Sequence, residues 1–303
     1  MAGPIGRVAE RPRQLLVAGH VNIDRFVEVA RMPQADRTVP VRSVREALGG
    51  TAATIARVAA SLHVRTGLLS RVGDGFPRSF GRQLRLEGID LAGLERVAGA
   101  PSPTCYILHD ARGHQVSAML QGPMGDAARA PIPERLLRRY GWLHLTTGDP
   151  RFQLRLKAAA LRAGLRVAVD PAQELNYWWT RGPLARLLAG SELLFTNSAE
   201  LGRVLELLRL GSPRELLRHV PLIVTTLGPR GAVAYSRAGT VRVAAPRIRS
   251  ASNATGAGDA FRGGFYAAWF AGLPLGRCLT AGSGAAGNWI RGERPSSVAG
   301  AGG

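Results

Sequence analysis

Short apolar runs alternate with longer segments of helical periodicity along most of this chain, and that alternation restricts the fold more than any other feature. The runs are Leu15–Ala18, Thr66–Ser70, Trp142–Thr146, Arg166–Val169, Leu193–Thr196 and Leu222–Thr225. Between them the spacing predicts helices over Thr51–Leu62, Arg78–Glu87, Arg151–Ala163, Leu184–Leu188, Ala199–Leu207 and Pro213–His219. Strands punctuated by helices argue for an α/β chain whose sheet is mainly parallel and covered by helices. Ala232–Ser236 and Thr240–Ala244, joined by Arg237-Ala238-Gly239, read as a hairpin. Leu279–Ile290 reads as a last helix.

Several strands finish in a polar residue: Asp149 after Thr146-Thr147-Gly148, Asp170 after Val169, Asn197 after Thr196, and Thr226 after Thr225. Open α/β sheets bind ligands beyond the carboxyl ends of their strands. Any one such residue is more often a helix cap or turn former; together they are expected to line a cleft. Phe26–Ala30 with Thr38–Val44, and Thr104–Leu108 with Gln115–Met119, stand outside the main pattern. They are expected to form a small β-sheet lid from residues 26–46 and 104–120. A lid would keep water from a reaction in the cleft.

The densest chemical signal lies in Ser252-Asn253-Ala254-Thr255-Gly256-Ala257-Gly258-Asp259-Ala260-Phe261-Arg262-Gly263-Gly264-Phe265. Phe261, Phe265, Ala268 and Trp269 recur at helical spacing, so a helix is expected from Ala257 to about Gly272-Leu273-Pro274. The first helical turn has N–H groups without internal partners, and Gly256 and Gly258 clear the approach of an anion to them. Asp259 would repel a phosphate as a ligand. It suits a base that takes the proton of a hydroxyl attacking that phosphate. Arg262, three residues on, would meet phosphates, steady Asp259, or simply face solvent.

Composition limits the rest. The 303 residues suit one large α/β domain over 1–303 with a small appendage. No run of apolar residues is long enough to span a membrane. Met1 to Arg13 carries charge but no signal-type apolar region, and Cys105 and Cys278 are far apart, so a cytoplasmic chain without disulfides or structural zinc is expected. The formal charge of +19 comes from arginines scattered along the chain, with Lys157 the only lysine. Without a basic cluster interleaved with aromatics, no specific nucleic-acid partner is expected.

Thr255-Gly-Ala-Gly-Asp-Ala-Phe-Arg-Gly-Gly-Phe265 resembles the C-terminal motif of the ribokinase-like (PfkB) carbohydrate and nucleoside kinases. The resemblance runs almost end to end and implies a three-layer α/β/α fold with a β-sheet lid, ATP as phosphate donor, and Asp259 as base beside an anion hole at Gly256, Ala257 and Gly258. Gly19-His20-Val21-Asn22-Ile23-Asp24 and Gly49-Gly50-Thr51-Ala52-Ala53-Thr54 match the family's sugar site, with Asp24 gripping ribose hydroxyls just beyond the first strand and Asn22 nearby. Taken alone, Asp24 is as readily a loop residue and the glycines a plain turn. Thr54 stands where the family usually has Asn. Asn197-Ser198-Ala199-Glu200 is similar to the motif that positions Mg²⁺ and the phosphates, the metal held through water. Thr226-Leu227-Gly228-Pro229-Arg230-Gly231 is similar to the nucleotide-binding turn, and Thr255 and Arg262 fall on the ATP side.

His144 to Pro150 and Val169 to Leu175 look like the archaeal-type nucleoside kinases, which puts Asp149, Asp170 and Gln173 at the acceptor. Two departures stand out. Asn253 replaces an Asp linked to a monovalent-cation site, which argues against potassium activation, and the chain closes in Gly and Ala where the family continues past an adenine-bordering segment. The resemblance thus implies transfer from ATP to the 5′-hydroxyl of a nucleoside. A sugar such as ribose or fructose 6-phosphate is the alternative acceptor, with Arg37, Arg42 or Arg112 available to a phosphorylated one, and a catalytically silent nucleoside-binding relative is the third reading. Exposed lid edges would allow a homodimer.

Overall fold

The computed structural model describes residues 14–248 and 255–293. Its elements run β1 (Gln14–Ala18), β2 (Asn22–Val29), β3 (Val41–Gly49), α1 (Thr51–Ser61), β4 (Arg65–Val72), α2 (Arg78–Leu86), β5 (Asp90–Arg96), β6 (Thr104–His109), β7 (Gln115–Leu120), α3 (Glu134–Leu137) and β8 (Trp142–Leu145). They continue as α4 (Pro150–Arg162), β9 (Arg166–Val169), α5 (Arg181–Leu188), β10 (Leu193–Asn197), α6 (Ser198–Leu208), α7 (Pro213–Leu216), β11 (Leu222–Thr226), β12 (Ala232–Ser236), β13 (Gly239–Val243), α8 (Ala257–Phe270) and α9 (Leu275–Arg291).

Among the described residues, nine strands form one sheet in the order β13-β12-β11-β10-β9-β8-β1-β4-β5. It is parallel from β5 through β11, and only the pairs β11–β12 and β12–β13 are antiparallel. Successive side chains of a strand point to opposite faces, and both faces here are covered. Leu15 and Val17 of β1 join Trp142, Ala168 and Phe195 in a core under α1, α8 and α9. Leu16 joins Leu143, Val167 and Leu194 in a second core under α4, α5 and α6. Burial on both sides is why these strands read as unbroken apolar runs.

Helix α8 packs between α1 and α9. A side chain at Gly263 would come within 2.7 Å of Val58, and one at Gly264 within 2.5 Å of Ala285. The two glycines of the motif are therefore packing residues.

A second sheet, β3-β2-β6-β7, is the expected lid. It differs from the expectation in one respect that matters: β2 starts at Asn22 and β3 continues to Gly49, so the lid reaches further toward β1 and α1 than its apolar alternation indicates. Strand β5 lies outside the expected set. It forms the edge beside β4, is only half buried, and carries Asp90, Gly93, Glu95 and Arg96 in place of an apolar run. Helix α7 stops at Leu216, short of His219, and α9 begins at Leu275, a turn before the expected start. Among the described residues no helix is long and apolar enough to cross a membrane.

Candidate active site

Strand order reverses at β1, which has β4 on one side and β8 on the other. The cleft beyond the carboxyl ends of these strands is where such sheets bind ligands, and the lid strand β2 begins only four residues after β1 ends.

Asn22 and Asp24 lie just beyond β1 as expected, and the structure puts both on the lid strand β2, so the alternative of Asp24 as a loop residue does not hold. Asn22 is buried and its Nδ2 donates to Asp24 Oδ1 at 2.7 Å. Asn22 pairs in register with Gly49, and the Asp24 carboxylate lies so close to Gly49 that a side chain there would collide with it. Gly50, at φ 107°, turns the chain from β3 into α1, and Thr54 is buried in that helix's first turn, its N–H bonded to the Gly50 carbonyl. Burial raises the Asp24 carboxyl above its ordinary range, while Asn22 and Arg45 counter the rise.

Helix α8 starts as expected. Gly256 is its N-cap in the left-handed region at φ 79°, and the indole N–H of Trp289 donates to the Thr255 carbonyl at 2.9 Å. The first intrahelical bond comes from Ala260 to Gly256, which leaves the N–H groups of Ala257, Gly258 and Asp259 in the open first turn. Asp259 is half buried. Burial pushes its carboxyl up to about 7; Arg262 pulls it down, and the negative charges of Asp170, Glu200 and Asp24 push it up further. Carboxylates from β2, α6 and the end of β9 thus converge electrostatically on Asp259.

Arg262 is neither a surface arginine nor a residue open to ATP. It is 5% exposed, its Nε is ion-paired to Asp170 Oδ2, and its guanidinium carbon stands 5.7 Å from the centre of the Phe195 ring. Asp170 is correspondingly closed to substrate, with no exposed surface. Behind it stand His144, with Nε2 at 4.0 Å from Asp170 Oδ2, and Tyr266, whose hydroxyl is 2.7 Å from His144 Nδ1. Burial and the Arg262 charge hold the His144 imidazole well below its usual range, so it is neutral.

Asn197 and Thr226, expected on the ATP side, are register partners at the ends of β10 and β11. Asn197 and Glu200 form a capping box: Asn197 Oδ1 accepts from Glu200 N at 2.9 Å, and Glu200 Oε2 accepts from Asn197 N at 2.7 Å. Glu200 Oε1 takes no part in that cap. Burial and the charge of Asp170 raise the Glu200 carboxyl. Oxygen donors in surroundings that resist further negative charge suit a hard cation. Among the described residues no group of three or more His, Cys, Asp or Glu side chains could hold a metal by itself, so Mg²⁺ would depend on water and phosphate oxygens. The turn after β11 closes with Leu227 N donating to Gly231 O at 2.7 Å, with Gly228 and Gly231 both at positive φ.

Two other expected acceptor residues have different places. Asp149 caps α4, its Oδ1 accepting from Arg151 N at 2.7 Å and Phe152 N at 3.3 Å. Gln173 is exposed in a short 3-10 turn. Its neighbour Glu174, passed over in the sequence, is buried and accepts from Gly148 N through both carboxylate oxygens at 2.8 Å. His144, which opens the stretch resembling the archaeal-type nucleoside kinases, is given no role there; a histidine inside the apolar run Trp142–Leu145 is the signal that marks it. Asn253 and the chain beyond Glu293 lie outside the described residues.

The pfkB family carbohydrate kinase profile matches residues 12–296. The chain belongs to this family. Such kinases transfer phosphate from ATP to a hydroxyl. This family member is 32% identical over 269 residues to a nucleoside kinase of Methanothermobacter thermautotrophicus, covering 88% of this chain and 85% of the relative. It is 30% identical to an ATP-dependent ribose-1-phosphate kinase of Halopiger xanaduensis, over 84% of each chain. Its fold superposes on the nucleoside kinase of Methanocaldococcus jannaschii with a TM-score of 0.86, at 26% identity and covering 93% and 92% of the two chains.

Proposed function

We propose that this pfkB kinase transfers the γ-phosphoryl group of ATP to the 5′-hydroxyl of a nucleoside, with Asp259 as general base. The observation that carries the reading is the position of Asp259: in the open first turn of α8, with its carboxyl near 7 and under the field of both Asp24 and Glu200. A carboxyl poised near neutrality is suited to accept a proton as attack develops. Similarity to archaeal nucleoside kinases supports the acceptor class.

In this reading the ribose lies against Gly49 and Gly50, its hydroxyls on Asp24, whose orientation Asn22 fixes. The N–H groups of Ala257, Gly258 and Asp259 receive the charge that builds on the transferring phosphoryl, a preorganised effect that costs no reorganisation during the step. Asn197, Thr226 and the turn from Gly228 to Gly231 border the donor. Where Mg²⁺ is bound, it neutralises the donor phosphates, and Glu200 with Asn197 would hold it through water. The lid, which carries Asn22 and Asp24 on its own strand, closes the acceptor side against water. Its edge strands expose Val41, Val44 and Val116, which supports pairing with a second copy.

ADP release from Mg-ATP, measured across nucleosides, ribose, ribose 1-phosphate and fructose 6-phosphate, tests the proposal. Nucleoside-dependent release is expected. Release with a sugar alone would keep the chemistry and overturn the acceptor. The ribose-1-phosphate kinase relative gives that second reading its support; Arg37, Arg42 and Arg112 lie on the lid turns and edge, where a phosphorylated sugar would find cations.

A further inference from the structure

The catalytic turn rests on a buried ion pair. Arg262 lies one turn along α8 from Asp259, and its Nη1 comes within 2.9 Å of where a side chain on Gly258 would begin. The guanidinium is therefore packed beneath the anion-binding turn. Asp170, at the end of β9, receives it from the other side, and Tyr266 and His144 close the space behind Asp170. An arginine this buried cannot exchange its partner for water, and a lone carboxylate in the place of Asp170 would be costly to keep charged.

Resting on the reading of Asp259 as base, we infer that Asp170 and Arg262 are a positioning pair for phosphoryl transfer: Asp170 anchors the guanidinium, which fixes the Gly258 turn and supplies the cation that balances the carboxylates converging on the site. The balance is needed because Asp170, Glu200 and Asp24 all act on Asp259, and Asp170 acts on Glu200 as well, with Arg262 as the opposing charge at both, and the ATP phosphates add to the negative side. Helix α8 contributes Asp259 and Arg262, β2 contributes Asp24, α6 contributes Glu200, and the end of β9 contributes Asp170. The neutral His144 adds no second cation. Asp170 accordingly touches neither nucleoside nor ATP.

The two partners act on Asp259 with opposite sign, which makes the pair testable. Arg262→Gln removes the charge that favours ionised Asp259, so the acid limb of kcat/KM for the acceptor moves to higher pH, by about one unit or more. Asp170→Asn removes a charge that disfavours it, so the limb moves to lower pH. In Asp170→Asn the plateau kcat falls at least about tenfold through the loosened turn, while acceptor KM stays as in the parent enzyme. If Arg262→Gln does not fold, the double variant Asp170→Asn/Arg262→Gln, which leaves no unpaired buried charge, carries the test: it is expected to fold with kcat reduced at least about tenfold. Limbs that stay in place, a raised acceptor KM with unchanged kcat in Asp170→Asn, or full turnover in the double variant would overturn the inference. Full activity of Asp259→Asn would instead overturn the assignment of the base, so the two failures are separable.

Discussion

The carboxylate of Asp24 occupies the space that a side chain on Gly49 would need, although the two residues sit on different strands of the lid. The lid hairpin and the proposed acceptor grip are thus one piece of structure: β3 has glycine where the carboxylate from β2 lies. Gly49→Ala must displace Asp24 or open the β2–β3 pairing. We expect acceptor KM to rise at least about tenfold, the loss of one charged hydrogen bond, with ATP KM little changed. Steady-state kinetics with each substrate varied in turn checks this.

The Asp259 carboxyl is raised to about 7, first by burial and then by its negative neighbours. A base must be ionised to work, and Asp259 is protonated below that value. Acceptor kcat/KM is therefore expected to fall tenfold per pH unit below about 7 and to level above it. A pH–rate profile at saturating Mg-ATP checks the limb.

Gly256 adopts a φ of 79°, and an added Cβ would stand 3.1 Å from Trp289 Nε1, the group that holds the Thr255 carbonyl. Gly256→Ala pushes on both the backbone and that hydrogen bond. We expect a stability loss of about 1–2 kcal/mol from the left-handed conformation alone and a lower kcat, because the turn carries the N–H groups proposed to bind the transferring phosphoryl. Thermal melting alongside turnover reads the two effects.

Glu174 is a buried carboxyl raised well above its ordinary range by burial, with the Gly148 N–H opposing the rise and Asp170 and Asp149 adding to it. A group whose folded-state value is raised contributes stability that is present at low pH and lost as pH rises through that value. Glu174→Gln keeps an acceptor for Gly148 and has no proton to lose. The variant is expected to gain in Tm relative to the parent as pH is raised from 5 to 9; a difference independent of pH would contradict it.

The sequence was readable where one physical constraint dominated. Leu15, Leu16 and Val17 have water on neither side, so β1 is an unbroken apolar run and needs no partner to be recognised. Gly256 and Asp259 occupy consecutive roles in a turn whose geometry only glycine relaxes, and they stand where expected. Strand β5 was invisible because an edge strand faces both core and solvent, and Asp90, Gly93 and Arg96 carry no apolar signature. The site was harder for a different reason. Asp149, Asp170 and Gln173 are all polar residues after strands, yet one caps a helix, one is buried under an arginine and one is exposed. Which of these a carboxylate does is decided by partners far along the chain: Asp170 meets Arg262, and Gly148 meets Glu174.

The most direct test of the account is nucleoside-dependent ADP release by Asp259→Asn compared with the parent enzyme at pH 8, where the parent base is ionised, with melting curves to show that both are folded. The account predicts turnover reduced by at least about a hundredfold at an unchanged melting temperature or a higher one, since a carboxylate crowded by other negative charges is removed. Turnover within a few fold of the parent would mean that Asp259 does not take the proton.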